Sequence, residues 1–190
     1  MLLTVLASLV LSLAPQDGGL SCPVLGAPAN PTNQGIDYNG VRYKFCCGGC
    51  DAAFMKDPAA VLKDEKIKGK TVGVALFDPI SGKRTDEKKF KASSDFNGTR
   101  FLFESAENKA IFDLDPKKHG AMPKYESLIC PIKQKVVTYA TADGFVDYDG
   151  VRYYTCCGSC TPMARADGAK FIAADKKDAA KPKPVRSPKN

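Results

Sequence analysis

Apolar and polar residues alternate in one short stretch of the chain, and the two-residue turn signal before it recurs twice. In the stretch 41–45 (VRYKF), every second residue is apolar, and the stretch directly follows Asn39-Gly40. Alternation with a period of two indicates a half-buried strand. Asn-Gly is typical of tight hairpin turns, because both central positions take a positive φ. Since the signal returns as Asn97-Gly98 and Asp149-Gly150, the pattern predicts three β-hairpins.

A short helix is predicted after each hairpin. Residues 52–55 (AAFM) favour a helix, and Asp57-Pro58 fits an N-cap followed by proline at the first helical position. Asp115-Pro116 repeats this signal, whereas Asp167 is followed by glycine. Each hairpin is therefore expected to lead into one or two helical turns.

These elements recur in register, which indicates an internal repeat. The copies begin with CPV at 22–24, DPI at 78–80 and CPI at 130–132, and their hairpin glycines are 58 and then 52 residues apart. The uneven spacing favours small joined domains over a regular solenoid. We therefore predict an α+β protein with three repeats of knuckle, β-hairpin and short helix, a treble-clef-like arrangement. The predicted bounds are 20–68 for repeat 1, 72–120 for a degenerate repeat 2 and 127–174 for repeat 3.

The two ends of the chain differ in composition from the repeats. The apolar run from Leu2 to Ala14 has the length of a signal-peptide core and is shorter than the ~20 residues of a membrane-spanning helix. Residues 1–19 are therefore interpreted as an export signal, the alternative being a buried N-terminal helix. Export predicts an extracytoplasmic protein, periplasmic or secreted.

The C-terminal tail, 175–190, is rich in lysine and proline and poor in apolar residues, which predicts disorder. It holds six basic and two acidic residues and so contributes four of the seven net positive charges. Such a tail is either simply solvated or in contact with an anionic surface. Nucleic-acid binding is not expected, because the chain has neither interleaved aromatic residues nor a recognisable nucleic-acid-binding motif.

The eight cysteines fall into two matching sets of four, with none in the middle repeat. The spacings are C-x23-C-C-x2-C and C-x25-C-C-x2-C. In each set, two cysteines four positions apart lie where a strand leads into a helix start, whose positive potential favours the thiolate that binds soft metals. A Cys-Pro knuckle would supply a third ligand. The predicted metal ligands are Cys22, Cys46, Cys50, Cys130, Cys156 and Cys160.

The fourth ligand stays open at this point. Cys47 and Cys157 directly follow predicted ligands, and neighbouring side chains rarely share one tetrahedral ion comfortably. Three thiolates suit Cu(I), whereas Zn(II) needs Cys47, water or another residue to complete four ligands. Cys47 and Cys157 are therefore interpreted as either additional ligands or disulfide partners.

The middle repeat carries Asp78, Glu104 and Asn108 where the others carry cysteine. We interpret it as a degenerate copy, because oxygen-ligand metal sites need more ligands than three. Its many large apolar residues predict folding by packing alone; they are Leu76, Phe77, Ile80, Phe90, Phe96, Phe101, Phe103, Ile111, Phe112 and Leu114.

The two cysteine-containing copies resemble the YHS domain and the related TRASH domain, small cysteine motifs linked to heavy-metal trafficking, resistance and sensing. The matching features are CPV with Gly26 four residues after Cys22, YNGVRYKFC, and C-x3-C followed by AAF and DP. The resemblance covers 21–62 and, less fully, 128–170. It implies the same two cysteine triads as ligands. Many family members carry a further cysteine where this chain has Leu25 and Lys133.

The function we predict is that of an exported heavy-metal-binding protein, which holds Cu(I) or Zn(II) for trafficking or buffering and exchanges it with a donor or acceptor protein. The alternative is a disulfide-stapled structural or interaction protein of the cell envelope, because exported thiols meet an oxidising space. Thiol redox chemistry at Cys47-Gly-Gly-Cys50 is a third reading. No enzymatic activity is expected, since the single histidine, His119, belongs to no recognisable nucleophile pair.

Overall fold

The computed structural model of the chain describes residues 19–85, 90, 92–172 and 178–188. The predicted export signal, 1–19, lies outside these residues except for Gly19. The described residues form short α-helices and two β-sheets, which confirms the predicted α+β class. None of the described helices has the length and apolar character needed to cross a membrane.

The same order of elements, a hairpin followed by two short helices, occurs in all three segments. The first segment consists of β1 (Ile36–Tyr38), β2 (Val41–Tyr43), α1 (Cys50–Lys56), α2 (Pro58–Val61) and a 3-10 helix (Glu65–Ile67). The middle segment consists of β3 (Gly73–Ala75), β4 (Ala92–Phe96), β5 (Thr99–Phe103), α3 (Ala106–Leu114) and α4 (Pro116–His119). The third segment consists of β6 (Tyr125–Ser127), β7 (Gly144–Tyr148), β8 (Val151–Thr155), α5 (Cys160–Ala166) and α6 (Gly168–Ile172), and β9 (Val185–Arg186) follows it.

The three hairpin turns are confirmed. Asn39 and Gly40 have φ angles of 50° and 72°, and the equivalent residues of the other two turns have nearly the same values. Two consecutive positive φ angles define the tight turn that suits antiparallel strands with a right-handed twist. The turn therefore fixes the register of each hairpin.

An aspartate–arginine pair crosses every hairpin, which the sequence analysis did not single out. In each pair the guanidinium donates two hydrogen bonds of 2.8–3.0 Å to the carboxylate of the directly opposite residue. Such bidentate contacts are stronger than neutral hydrogen bonds and set the geometry of both strands. The pairs are Asp37–Arg42, Asp95–Arg100 and Asp147–Arg152.

The predicted N-caps of the second helices are also confirmed. The Asp57 carboxylate accepts a 2.9 Å hydrogen bond from the Ala60 N–H, and Asp115 caps α4 in the same way. In the third segment Asp167 accepts a 3.1 Å hydrogen bond from the Lys170 N–H. The cap therefore persists even though glycine replaces proline, because the aspartate side chain supplies the acceptor.

The larger sheet joins the first and middle segments. Its six strands lie in the order β4-β5-β3-β2-β1-β9, with β3 antiparallel to β2 and parallel to β5. The smaller sheet, β6-β8-β7, belongs to the third segment. The first and middle segments thus share backbone hydrogen bonds as well as side-chain contacts.

The predicted core of the middle segment is partly wrong. Its five most deeply buried members are Leu76, Phe77, Phe101, Phe103 and Phe112, and Ile80 and Phe96 pack against them. In contrast, Phe90, Ile111 and Leu114 are exposed, Leu114 by 87%. The reason for the two helical residues is geometric, since α3 turns Phe112 toward the sheet and its neighbours Ile111 and Leu114 away from it.

The prediction of a disordered tail is wrong for residues 178–188, which we call the C-terminal strap. Ala180 exchanges backbone hydrogen bonds with Glu126, and β9 pairs with β1 in the first segment. The Ser187 hydroxyl donates a 2.7 Å hydrogen bond to the buried Asp37 carboxylate. The strap is ordered because it covers the edge of β1, whose backbone groups would otherwise lack partners.

We expect Ser187→Ala to lower the free energy of unfolding by about 1–2 kcal/mol, because Asp37 is 2% exposed and would lose one of its hydrogen-bond donors. The measurement is urea denaturation followed by circular dichroism. Lys181→Ala, at an exposed strap position, is the control and should unfold at the wild-type concentration. Identical midpoints for both variants would contradict the role assigned to Ser187.

Candidate metal centre

Three cysteines from separate elements converge in the first segment, at what we call the N-terminal site. Cys22 lies in the knuckle and is fully buried, Cys46 follows β2, and Cys50 is the first residue of α1 and is 6% exposed. Their three Sγ atoms all lie within 4.8 Å of one another. This arrangement can hold a metal ion.

The third segment repeats the arrangement at what we call the C-terminal site. Cys130 in the knuckle and Cys160 at the start of α5 are fully buried, and Cys156 follows β8. Their Sγ atoms also lie within 4.8 Å of one another. All six cysteines proposed as ligands are therefore brought together in two groups of three.

The knuckle has the same backbone conformation in all three segments. In each, the residue four positions after the knuckle residue has a positive φ and donates a 2.8 Å hydrogen bond to the knuckle carbonyl. In the first segment that residue is Gly26, where a Cβ atom would lie 2.8 Å from the Lys66 carbonyl oxygen. The equivalent pairs are Cys22–Gly26, Asp78–Gly82 and Cys130–Gln134.

The knuckle thiols sit among backbone donors. Burial disfavours the charged form of Cys22, but the N–H groups of Cys46, Leu25 and Val24 outweigh burial and lower the pKa of the Cys22 thiol. The pKa of Cys130 is lowered in the same way, against burial, by the equivalent three N–H groups. Several N–H donors around one sulfur atom stabilise the thiolate, which is the form of cysteine that can bind a cation.

The helix-start thiols have the opposite tendency. Burial raises the pKa of Cys50 and of Cys160. The hydrogen bond of Cys50 with Cys47, and that of Cys160 with Cys157, raise these pKa values further. A cation must therefore displace a proton from Cys50 or Cys160 in order to bind. Binding of a metal at either site would consequently be coupled to proton release.

Cys47, which directly follows Cys46, lies close to two of the three proposed ligands of the N-terminal site. The Cys47 Sγ atom is 3.6 Å from that of Cys46 and 3.5 Å from that of Cys50. A tetrahedral zinc site with Zn–S bonds of about 2.3 Å has S···S edges of about 3.8 Å. The turn after β2 thus brings the Cys47 Sγ atom beside those of Cys46 and Cys50, whereas the group whose Sγ atoms all lie within 4.8 Å of one another consists of Cys22, Cys46 and Cys50.

All eight cysteines are described, and each carries a free thiol. The Cys157 and Cys160 Sγ atoms are 3.1 Å apart, well beyond the disulfide bond length of about 2.05 Å. The thiols are thus unbonded and close enough to one another that a metal ion could bridge them.

In the middle segment, hydrogen bonds join the knuckle to the start of the helix, at the positions where the other two segments have thiols. Asp78 is fully buried, and its Oδ1 atom accepts hydrogen bonds of 2.8 and 3.2 Å from the N–H groups of Ile80 and Ser81. Its Oδ2 atom accepts from the Glu104 N–H at 3.0 Å and from the Asn108 side-chain amide at 2.7 Å. Both carboxylate oxygens are engaged, which agrees with the reading of this copy as degenerate with respect to metal.

Two residues beside Cys157 were missed by sequence reasoning. The Ser159 hydroxyl lies 3.3 Å from the Cys157 Sγ atom, and this hydrogen bond, followed by one with Cys160, lowers the pKa of Cys157 to about 6. The pKa of the Lys133 ammonium is raised, chiefly by Cys157 and less by Cys160 and Cys156. The signal was present in the sequence, since the equivalent positions of the first repeat are Leu25 and Gly49.

Comparison of the chain with protein-family models, with curated proteins and with solved structures found no match. The functional argument therefore rests on the chemistry of the two cysteine groups.

We expect Asp78→Asn to destabilise the protein by about 2 kcal/mol, because an amide nitrogen would then face the donors now bonded to the buried carboxylate. Urea denaturation measures the loss, and faster amide hydrogen exchange at Glu104 would localise it to the junction. Asp149→Asn is the matched control, since the other two hairpin turns already carry asparagine at that position. An unfolding midpoint for Asp78→Asn equal to that of the control would show that the Asp78 carboxylate does not hold the knuckle to the helix start.

Proposed function

We propose that the chain is a heavy-metal-binding protein that holds Cu(I) or Zn(II) through thiolates in its first and third segments, for metal trafficking or buffering. The observation that carries this proposal is the convergence of Cys22, Cys46 and Cys50, and independently of their three counterparts, within 4.8 Å. Two separate groups with the same geometry favour a common ligand over chance proximity.

The treble-clef-like reading of each unit supports the proposal. A knuckle, a hairpin and a helix start meet at the sulfur atoms, so that one ion would tie together three elements. Units of about 45 residues are near the size at which a hydrophobic core alone is insufficient, and metal is one of the ordinary supplements. In the middle segment, which lacks the thiols, the hydrogen bonds of the buried Asp78 side chain join the same elements. The resemblance to the YHS and TRASH domains points in the same direction.

The choice of metal follows from the number of thiolates that bind. Three thiolates suit trigonal Cu(I), whereas the addition of Cys47 or Cys157 gives the four ligands that Zn(II) prefers. Cys47 is exposed at the protein surface, where the thiol of a donor or acceptor protein can reach the same ion. This exposure suits a role in which metal is passed on, in an extracytoplasmic space reached through the export signal.

The test is anaerobic purification of the full chain, with metal measured by mass spectrometry and free thiols counted in the same sample. We expect about one Cu or Zn per cysteine site, the loss of one equivalent in Cys22→Ser or Cys130→Ser, and the loss of both in the double variant. His119→Ala is the control and should keep both equivalents, because the only histidine lies outside the thiol groups.

Two outcomes of this experiment would overturn the proposal. One is a metal-free protein whose eight cysteines react only after reduction, which would leave the disulfide-stapled structural or interaction protein of the cell envelope. The other is metal that stays bound in the double variant, which would place the ion elsewhere.

Metal affinity should also fall as the pH falls. Burial raises the pKa of Cys50 and Cys160, so these thiols are protonated before metal arrives and must each release a proton to bind. The apparent association constant should therefore fall by about tenfold per pH unit for each such proton. Titration with a competing chelator at several pH values measures this slope, and an affinity independent of pH would contradict thiolate ligation.

A further inference from the structure

Cys47 and Cys157, which we call the vicinal cysteines, belong to neither group of three sulfur atoms. Each nevertheless touches the cysteine at the start of the following helix. The Sγ atoms of Cys47 and Cys50 are 3.5 Å apart, and those of Cys157 and Cys160 are 3.1 Å apart. The same two positions are thus in contact at both sites, and three-thiolate metal binding leaves this contact without a role.

The backbone between the paired cysteines suits a disulfide. The Cys160 N–H donates a 2.9 Å hydrogen bond to the Cys157 carbonyl, which closes a four-residue turn. Residues 48–49 form a turn at the equivalent place in the first segment. A four-residue turn brings its outer Cα atoms within about 7 Å of each other, and disulfides span Cα atoms about 4.4–6.8 Å apart. Each pair can therefore be oxidised with little movement of the backbone.

The other close sulfur contacts are less suited to a disulfide. The Sγ atoms of Cys46 and Cys47 are 3.6 Å apart, but the Cα atoms of adjacent residues are only about 3.8 Å apart across a trans peptide bond, which is below the disulfide range. The Cys156 and Cys160 Sγ atoms are 3.9 Å apart, farther than those of Cys157 and Cys160. The turn pairs are therefore the favoured disulfides.

The middle segment shows that this contact can also be made without sulfur. Ser105 stands at the vicinal position and Asn108 at the helix-start position. The Ser105 hydroxyl accepts a 3.1 Å hydrogen bond from the Asn108 N–H. A serine at the vicinal position thus fits the same backbone, and it makes the structural contact without any redox chemistry.

The two members of each pair differ in their access to solvent. Cys47 is exposed and Cys157 is half-buried, whereas Cys50 is 6% exposed and Cys160 is fully buried. A Cβ atom built on Gly48 would meet nothing within 4 Å, so the turn beside Cys47 is open. An oxidant therefore reaches the vicinal thiol first, and the buried thiol is placed to complete the reaction.

We propose that Cys47–Cys50 and Cys157–Cys160 are redox pairs: an oxidant of the disulfide class converts each pair into an internal disulfide, which withdraws Cys50 or Cys160 from its group of ligands and releases the ion. This inference rests on the proposed function and deepens it, since it assigns a trigger for metal release. Reduction of the disulfide restores the site.

The reaction is two successive thiol–disulfide exchanges. The vicinal thiolate attacks one sulfur of the oxidant RSSR, whose S–S bond breaks, and RS⁻ leaves with the bonding electron pair. The helix-start sulfur then attacks the vicinal sulfur of the mixed disulfide, and a second RS⁻ leaves. The two cysteines lose two electrons to RSSR, and their thiol protons pass to RS⁻ or to water. The sulfur that held the ion is now bonded to sulfur, so two thiolates of the group remain.

The test uses the full chain, loaded with zinc, freed of excess ion and treated anaerobically with oxidised glutathione beside a chromophoric zinc indicator. We expect zinc to be released from both sites as about two thiols are lost per ion, and to be bound again after a phosphine reductant is added. Peptide mass spectrometry after alkylation should place the disulfides between Cys47 and Cys50 and between Cys157 and Cys160.

The decisive variant is Cys47→Ser with Cys157→Ser, which keeps both groups of three ligands and copies the serine of the middle segment. It should still bind zinc and should release it at least about tenfold more slowly, because the second exchange no longer has a partner in contact. The control is Met55→Ser with Met163→Ser, which removes exposed sulfur atoms from the same two helices. The control should release zinc at the wild-type rate.

The outcomes separate this inference from the proposed function. If the Cys47→Ser, Cys157→Ser variant releases zinc as fast as the wild type, or if oxidised glutathione leaves zinc bound, the redox pairs are refuted and metal binding stands. If that variant alone binds no zinc, the vicinal cysteines are required ligands and their redox role is refuted. If the wild type binds neither zinc nor Cu(I), the proposed function fails and the release step fails with it.

Discussion

Each segment depends on one junction, where the knuckle meets the start of the helix that follows the hairpin. The knuckle residues Cys22, Asp78 and Cys130 are fully buried there, so a polar group at this point needs a partner. In the middle segment a buried carboxylate does so, with Asp78 accepting four hydrogen bonds that include one from Asn108. In the other two segments the same positions hold thiols, whose mutual contacts are weak, and the proposed ion would supply the missing cohesion.

Local chemistry made part of this structure predictable. The positive φ angles at Asn39 and Gly40 and the Asp57 cap arise from residues next to one another in sequence, and the convergence of the cysteines follows once those elements are in place. The features that were missed connect distant residues. The sheet shared by β2 and β3, and the contact of Ser187 with Asp37, depend on which strand edges remain unpaired after the hairpins form, and no local pattern encodes that.

The two cysteine sites keep the same backbone and differ in the side chains around it. The backbone of the knuckle is the same with Gly26 or Gln134 at its fourth position, so the fold tolerates changes in the side chains that surround the sulfur atoms. Lys133, for example, stands where the first segment has Leu25.

The C-terminal strap has a consequence for the way the chain is made. Ser187 and Asp37 are 150 positions apart, so their contact cannot form until the middle and third segments have been synthesised. Until then, the β1 edge of the first segment is an open template for another strand. A nascent chain that stalls or is clipped before residue 185 would keep this edge open, and the strap of an intact neighbouring molecule would be able to pair with it in place of the missing strand.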